Sequence, residues 1–125
     1  MRHITIGLDV DGTVVTHSYP EMGTSVGAEL VLHDLIKNGH KIVLNTMRSG
    51  QYLQNAIDWF AKNNIPLYGA NHNPDQKAWT DSPKVYADLY IDDAALGAPL
   101  IYPIGGRPYI DWAKVRAFLV KERYL

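Results

Sequence analysis

Short runs of apolar residues alternate along this chain with segments of helical periodicity. The first apolar run covers residues 3–9, and a helical pattern follows near residues 25–38. Strands of a buried parallel sheet are nearly continuous apolar runs, and the connections between parallel strands contain helices. The alternation therefore predicts an α/β protein with a three-layer, Rossmann-like parallel sheet.

The same alternation continues along the chain, and all 125 residues fit a single domain that is large enough to bury a core. Gly39 is placed to end the first helix in a left-handed cap, and Ser49 is placed to cap the second. The stretch Gly105–Pro108 is predicted to be a turn and not a phosphate-binding loop, because no helix begins directly after it. The further elements expected are strands at residues 40–46, 65–71, 87–93 and 98–103, and helices at residues 50–63 and 111–123.

Composition excludes several classes of function. The chain has no cysteine, which excludes disulfides, zinc–thiolate sites and cysteine nucleophiles. The net charge is −1 and the basic residues are scattered, so the sequence carries no strong signal for nucleic-acid binding. The N-terminal stretch MRHITIGLDV has only a short apolar run, and no run approaches the length of a membrane span. We therefore expect a cytoplasmic protein with no membrane partner.

Polar residues follow three of the predicted strands, at the edge where open parallel sheets bind ligands. The first strand ends in Asp9 and leads to Asp11, Thr46 ends the second, and Asp92 and Asp93 end the fourth. Carboxylates that are brought together repel one another, so such a cluster persists only if a cation neutralises it. Because every candidate ligand is an oxygen, Mg²⁺ is the expected cation. Mg²⁺ favours phosphate oxygens, which indicates phosphoryl chemistry.

Three segments, in order, resemble motifs of the haloacid dehalogenase (HAD) superfamily of phosphatases. GLDVDGTVV resembles the first motif, which is a hydrophobic strand followed by D-x-D-G-T. IVLNTMRS resembles the second, a strand that ends in Thr or Ser, and YIDDAALG resembles the fourth, an acidic pair after a strand. The resemblance spans roughly residues 4–103. It implies an HAD-like fold and a Mg²⁺-dependent phosphomonoester hydrolase that acts through an aspartyl-phosphate.

The resemblance also implies a role for each matching residue. Asp9 would be the nucleophile, and Asp11 would be the general acid and then the general base. The i, i+2 spacing would put these two carboxylates on one side of the strand. The metal would be bound by Asp9, by the backbone carbonyl of Asp11 and by Asp92, with Asp93 a ligand or a neighbour of the ligands. The residues expected to hold the phosphate are Thr46, Met47, Arg48 and Lys84.

The lysine of the third HAD motif has two candidates. Lys84 lies eight residues before Asp92, and Lys77 lies fifteen before it. We favour Lys84 as the catalytic lysine, because PKVYADLYIDD resembles the corresponding segment of relatives without a cap domain. Lys84 reaches the end of an extended strand only if residues 84–87 fold back.

Several other polar residues admit two interpretations. Arg48 can grip the substrate phosphate through its planar guanidinium, or it can be a solvated charge at the start of a helix. The segment Asn71–Asn73 is expected to be a polar loop, with a role in substrate binding as the alternative. The five histidines are dispersed, and none is expected to bind a metal.

The spacing between the motifs leaves no room for the cap domain that HAD enzymes commonly insert. About a dozen residues separate Asp11 from the first helix. Another 37 residues lie between Thr46 and Lys84, and these must already hold a helix and a strand. The site is therefore expected to be open and to be covered by the substrate or by a partner subunit. This favours a phosphorylated small molecule or an exposed phosphate on a larger molecule as substrate, and it allows a homo-oligomer.

Two other functions fit the same residues. A catalytically silent HAD-like module would bind phosphate without turnover. A receiver-type signalling domain also gathers aspartates, a threonine and a lysine around Mg²⁺. In receivers, however, the acidic pair ends the first strand and the phosphoacceptor aspartate ends the third. Here Thr46 comes second and the other acidic pair follows the lysine, so the order of the motifs argues against a receiver domain.

Overall fold

A computed structural model describes residues 2–125, in which a parallel sheet and three helices make up most of the regular structure. The parallel strands are β1 (Thr5–Leu8), β2 (Lys41–Leu44), β3 (Gly69–Ala70) and β4 (Leu89–Ile91). A separate antiparallel ribbon consists of β5 (Leu100–Ile101) and β6 (Tyr109–Ile110). The helices are α1 (Glu29–Lys37), α2 (Gly50–Lys62) and α3 (Trp112–Lys121), and a 3-10 turn covers Gln76–Ala78. The predicted α/β class with a parallel sheet is confirmed.

The strand order β3-β2-β1-β4 puts β1 between two parallel neighbours. Ile6 of β1 is paired with Ile42 of β2 on one side and with Leu89 of β4 on the other. Ile6 and Leu8 are fully buried, as expected for a central strand that is covered on both faces. The end of β1 therefore has the end of another strand on each side.

The helices contribute to one hydrophobic core with the sheet. Leu35 of α1, Phe60 of α2 and Leu119 of α3 are fully buried in it. Phe118, which directly precedes Leu119 on α3, is 47% exposed. It borders an apolar groove of about 480 Å³ beside β4, which explains why the core does not cover it.

The ends of the helices follow the predicted signals only in part. Gly39 has φ +88° just after α1, which is the left-handed conformation expected at that cap. The predicted helix near residues 25–38 begins only at Glu29, because Gly27 with φ +96° lies outside helical geometry. Ser49 occupies the N-cap of α2 but makes no side-chain hydrogen bond there. The Asp111 carboxylate caps α3 by accepting two backbone N–H bonds.

The predicted strand at residues 98–103 does not extend the parallel sheet. Its central residues form β5, which pairs with β6 in antiparallel register, Leu100 opposite Ile110. The turn predicted at Gly105–Pro108 joins these two strands, and Gly105 has φ +76°. A short loop returns the chain to a neighbouring segment at low entropic cost, whereas a further parallel strand needs a long crossover.

The third strand is also shorter than predicted. Residues 65–71 were expected to be extended, but only Gly69–Ala70 pairs with β2. Pro66 has no N–H to donate to a sheet ladder.

The longest helix, α2, has 13 residues and is therefore about 20 Å long, which is shorter than the hydrocarbon layer of a bilayer. Among the described residues, no helix combines the length and the apolarity that crossing a membrane requires.

Candidate functional site

The carboxyl ends of β2, β1 and β4 lie side by side at one edge of the sheet. Asp9 directly follows β1, and its N–H donates to Ile91 O of β4 at 3.0 Å. Asn45 directly follows β2, and its N–H donates to Leu8 O at 2.8 Å. These bonds continue the sheet ladder one residue past the strands, so the polar residues that follow the three strands share one edge.

Three carboxylates meet at this edge, and we call Asp9, Asp92 and Asp93 the acidic cluster. Each offers one carboxylate oxygen, and these three oxygens all lie within 4.8 Å of one another. All three residues are half-buried. The predicted approach of these aspartates is confirmed. Hard divalent cations prefer such oxygen donors, so the donor set fits Mg²⁺.

The environment of Asp9 makes its ionised form unfavourable when no cation is bound. The pKa of the Asp9 carboxyl is raised from 3.8 to about 8, mainly by burial and then by the hydrogen bond with Asp93 and the charge of Asp92. Hydrogen bonds from Thr13 and from the Val10 N–H act in the opposite direction. Asp9 therefore holds a proton near neutral pH, and a cation in the cluster would favour its release.

Thr13 connects Asp9, which follows β1, with Asp93, which lies after β4. Its hydroxyl donates to Asp9 Oδ2 at 2.9 Å and accepts the N–H of Asp93 at 3.2 Å. The side chain is fully buried, and the Thr13 carbonyl accepts from Trp112 Nε1 at 2.7 Å. Thr13 was not among the predicted site residues, although it is the threonine of the D-x-D-G-T motif. The motif itself was therefore the signal that could have found it.

His17 is a second residue that sequence reasoning missed. Its Nε2 lies 2.9 Å from Asp93 Oδ2, and both side chains are mostly buried. The two groups lie over Gly12, which has φ +77°, and a Cβ at that position would overlap both of them. The contact joins residues 76 apart in the chain, and no spacing or periodicity marks it in the sequence.

Asp11 contacts Arg48 instead of joining the acidic cluster. Arg48 Nε donates to Asp11 Oδ2 at 2.8 Å, and Nη2 donates to Asp11 Oδ1 at 2.7 Å. The expectation that the i, i+2 spacing puts Asp9 and Asp11 on one side assumed an extended strand. That alternation applies only within a strand, and β1 already ends at Leu8.

Arg48 is not the solvated charge that one interpretation of the sequence described, because its side chain is only 1% exposed. Besides Asp11, it donates to three backbone carbonyls, those of Pro20, Glu21 and Tyr52. The guanidinium also lies 5.2 Å from the centroid of the Tyr19 ring.

Asn71 holds the segment that follows β2. Its Oδ1 accepts from Thr46 N at 2.8 Å, and its Nδ2 donates to Arg48 O at 3.1 Å. Asn71 has φ +53°, a left-handed conformation that asparagine tolerates. Thr46 Oγ1 accepts from Arg48 N at 3.2 Å, which leaves the hydroxyl proton available to a ligand, and Met47 is 98% exposed.

The other two residues of the Asn71–Asn73 loop differ in burial. Asn73 is buried and donates to Tyr86 O at 3.0 Å, so it holds the loop in place. His72 is exposed and, together with Asn71 and Lys77, borders a polar cavity of about 220 Å³.

The two candidate lysines are both exposed and have other neighbours. Lys84 is exposed, and its Nζ is 5.7 Å from the centroid of the Tyr90 ring. Lys77 is exposed beside the polar cavity. Within residues 2–125, neither lysine makes a hydrogen bond or an ion pair with the acidic cluster, so the choice of Lys84 over Lys77 stays a prediction.

The fold and the acidic cluster define this chain as an α/β protein with a candidate metal site at one edge of its parallel sheet. A solved structure of a conserved protein coded by a locus of Bacteroides thetaiotaomicron is similar to it, with a TM-score of 0.76 and 32% sequence identity. The match covers 98% of this chain and 93% of that chain. This chain belongs to the same family as that conserved protein. No protein-family model matches the chain, and no curated protein matches it.

Proposed function

We propose that this protein is a Mg²⁺-dependent phosphomonoester hydrolase of the HAD type, which acts through an aspartyl-phosphate on Asp9. The observation that carries the proposal is the acidic cluster, whose three carboxylate oxygens lie within 4.8 Å of one another. It lies beside the end of β2, which leads to Thr46, and this arrangement supports the D-x-D-G-T resemblance. The HAD-like fold without a cap domain is part of the same proposal.

The residues present fit the proposed metal. Asp9 and Asp92 would bind Mg²⁺ together with the backbone carbonyl of Asp11, and Asp93 would bind it or hydrogen-bond its ligands. Bound Mg²⁺ would supply positive charge to the phosphate oxygens and to the clustered carboxylates. With a pKa of about 8, Asp9 would hold a proton near neutral pH, whereas a nucleophilic carboxylate must be ionised. This supports the need for a bound cation.

In the first step, an Asp9 carboxylate oxygen attacks the phosphorus of the substrate. The bond between phosphorus and the ester oxygen breaks, and that oxygen takes a proton from the Asp11 carboxyl. The Thr13 hydroxyl, bound to Asp9 Oδ2 at 2.9 Å, fixes the rotation of the nucleophilic carboxylate. The products of this step are the alcohol and an aspartyl-phosphate.

In the second step, water attacks the phosphorus of the aspartyl-phosphate. Asp11, now ionised, takes a proton from this water, and the bond between phosphorus and the Asp9 oxygen breaks. Inorganic phosphate leaves, Asp9 is a carboxylate again, and Asp11 again holds the proton that the next cycle requires.

The groups that would hold the phosphate come from the segment after β2. The Thr46 hydroxyl can donate its proton, and the exposed Met47 follows it directly. Lys84 remains the proposed lysine, and it would have to move from the Tyr90 ring towards the phosphate. A cytoplasmic location and a substrate with an accessible phosphate complete the proposal.

Hydrolysis of p-nitrophenyl phosphate tests the proposal. We expect turnover with Mg²⁺ and none with EDTA, and we expect Asp9→Asn to reduce kcat by at least about a thousandfold. Asp58→Asn is the matched control, because Asp58 is an exposed aspartate on α2 whose carboxylate accepts a hydrogen bond from Gln54. Acid quenching during turnover should leave a phosphoryl group on Asp9. Absence of turnover with a broad set of phosphomonoesters, together with Mg²⁺ binding, would instead favour a silent phosphate-binding module.

A further inference from the structure

We infer that Arg48 is a positioning residue, which holds the Asp11 carboxylate and the backbone of residues 19–21 in place, and that it is not a ligand of the substrate phosphate. The catalytic part of this inference rests on the proposed function. The structural part, that one guanidinium fixes both Asp11 and residues 19–21, does not.

The burial of Arg48 is the first observation. Its side chain is 1% exposed, whereas the Asp11 carboxylate that it binds is 18% exposed. Arginine is almost never fully buried unless it is paired, because an unpaired buried charge is costly. Asp11 therefore faces the solvent side of the pair, and Arg48 lies behind it.

The hydrogen bonds of Arg48 are the second observation. A guanidinium carries five N–H groups, one on Nε and two on each Nη. Nε and one N–H of Nη2 bind the two Asp11 oxygens, and the other N–H of Nη2 binds Glu21 O at 2.9 Å. Nη1 binds Pro20 O at 3.1 Å and Tyr52 O at 3.2 Å. All five N–H groups are used, so none is left for a phosphate oxygen.

The acceptors of Arg48 would lose their partner if it turned towards a phosphate. The Asp11 carboxylate would lose both charge-assisted bonds, and the Pro20 and Glu21 carbonyls would lose theirs. The Tyr19 ring, 5.2 Å from the guanidinium, would lose its cation. A phosphate ligand that must first break this many contacts is poorly placed, and this favours the positioning role.

Both reaction steps depend on the direction of the Asp11 carboxyl, since it donates a proton in the first step and accepts one in the second. Two parallel N–H···O bonds fix the plane of a carboxylate as well as its position. The Pro20 and Glu21 carbonyls accept hydrogen bonds from the same guanidinium, so the position of this segment and that of Asp11 are linked. Lysine cannot reproduce this, because its ammonium is a point charge with three donors.

Kinetics of Arg48→Met, Asp11→Asn and the double variant test the inference. We expect Arg48→Met to lower kcat for p-nitrophenyl phosphate roughly 10- to 100-fold, as misplacement of a reacting group does. KM and the inhibition constant of inorganic phosphate should change by less than about threefold. Adding Arg48→Met to Asp11→Asn should lower kcat by less than about a further threefold, because both changes disable the same group. Arg116→Met is the matched control, since Arg116 pairs with Asp34 at the surface.

The opposite result would show that Arg48 binds phosphate. In that case KM and the inhibition constant of phosphate would rise at least about tenfold in Arg48→Met. The loss of activity in the double variant would then be the product of the losses in Arg48→Met and Asp11→Asn. If Arg48→Met does not fold, Arg48→Lys replaces it, and the same comparisons apply.

A separate measurement distinguishes failure of this inference from failure of the proposed function. Amide hydrogen exchange of residues 19–21 should accelerate in Arg48→Lys and stay unchanged in Arg116→Met, whether or not the protein is an enzyme. A wild-type protein without turnover but with this acceleration would overturn the catalytic role alone. Unchanged exchange in Arg48→Lys would overturn the structural role, even in an active enzyme.

Discussion

The buried hydroxyl of Thr13 donates a hydrogen bond of 2.9 Å to Asp9 Oδ2. Thr13 Oγ1 also accepts the Asp93 N–H at 3.2 Å, so the Thr13 side chain joins the end of β1 to the end of β4. Asp9 and Asp93 are two of the three members of the acidic cluster, and the Thr13 hydroxyl contacts both.

Replacement of Thr13 tests this link. Thr13→Val keeps the shape of the side chain but leaves the Asp93 N–H and an Asp9 oxygen without their partner. We expect it to lower the free energy of unfolding by about 1–3 kcal/mol, the usual cost of an unsatisfied buried polar group. Thr13→Ser keeps the hydroxyl and should lose less. Urea denaturation of both variants checks this, and equal stability of the two would contradict it.

Gly12→Ala should disturb the acidic cluster directly. The new Cβ would overlap His17 Nε2 and Asp93 Oδ2, and Gly12 has φ +77°, where alanine is strained. Gly27→Ala is the matched control, because Gly27 also has a positive φ, +96°, and no described atom lies within 4 Å of its Cβ position. We expect Gly27→Ala to cost about 1–2 kcal/mol of stability and Gly12→Ala clearly more. Calorimetry should show weakened Mg²⁺ binding in Gly12→Ala alone.

Trp112→Phe should loosen the segment that carries Asp9. Trp112 is buried and donates from Nε1 to Thr13 O at 2.7 Å, so phenylalanine would leave that carbonyl without this donor. We expect a loss of about 1–3 kcal/mol in the free energy of unfolding. Trp79→Phe serves as the control, because Trp79 is 63% exposed. Similar losses in both variants would show that the hydrogen bond to Thr13 contributes little.

The raised pKa of Asp9 predicts how stability depends on pH in EDTA. Folded protein holds the Asp9 proton up to about pH 8, whereas the unfolded chain releases it near the ordinary value of 3.8. Between these values the folded state binds more protons, so this contribution is fully present below about pH 4 and is lost as the pH rises through about 8. The difference in the free energy of unfolding between wild type and Asp9→Asn, measured from pH 5 to 9, gives this contribution. Wild-type stability that rises relative to the variant would contradict the expectation, and Mg²⁺ should reduce the decline.

Patterns that repeat within a short segment could be predicted from the sequence. The apolar run of β1 and the helical periodicity of α1 and α2 depend on residues that are close in sequence, and they located the strand and these helices. The meeting of Asp9 with Asp92 also followed, because parallel strands end at the same edge. The roles of both aspartates in catalysis stay predictions.

Contacts between distant segments could not be predicted. Arg48 pairs with Asp11 across 37 residues, and His17 meets Asp93 across 76, and neither pair leaves a local pattern. The antiparallel pairing of β5 with β6 escaped prediction for a related reason. A short apolar run gives no information on which neighbour it will pair with, or in which direction.

The ribbon of β5 and β6 has a consequence for how the molecule behaves in concentrated solution. Since these strands pair with each other, no strand among residues 2–125 covers the outer side of β4. Bare main-chain donors and acceptors at a sheet margin can template fibrils, and proteins commonly limit this by keeping the marginal strand short. β4 has only three residues and so offers few such groups, and we therefore expect little edge-to-edge pairing of molecules along this strand.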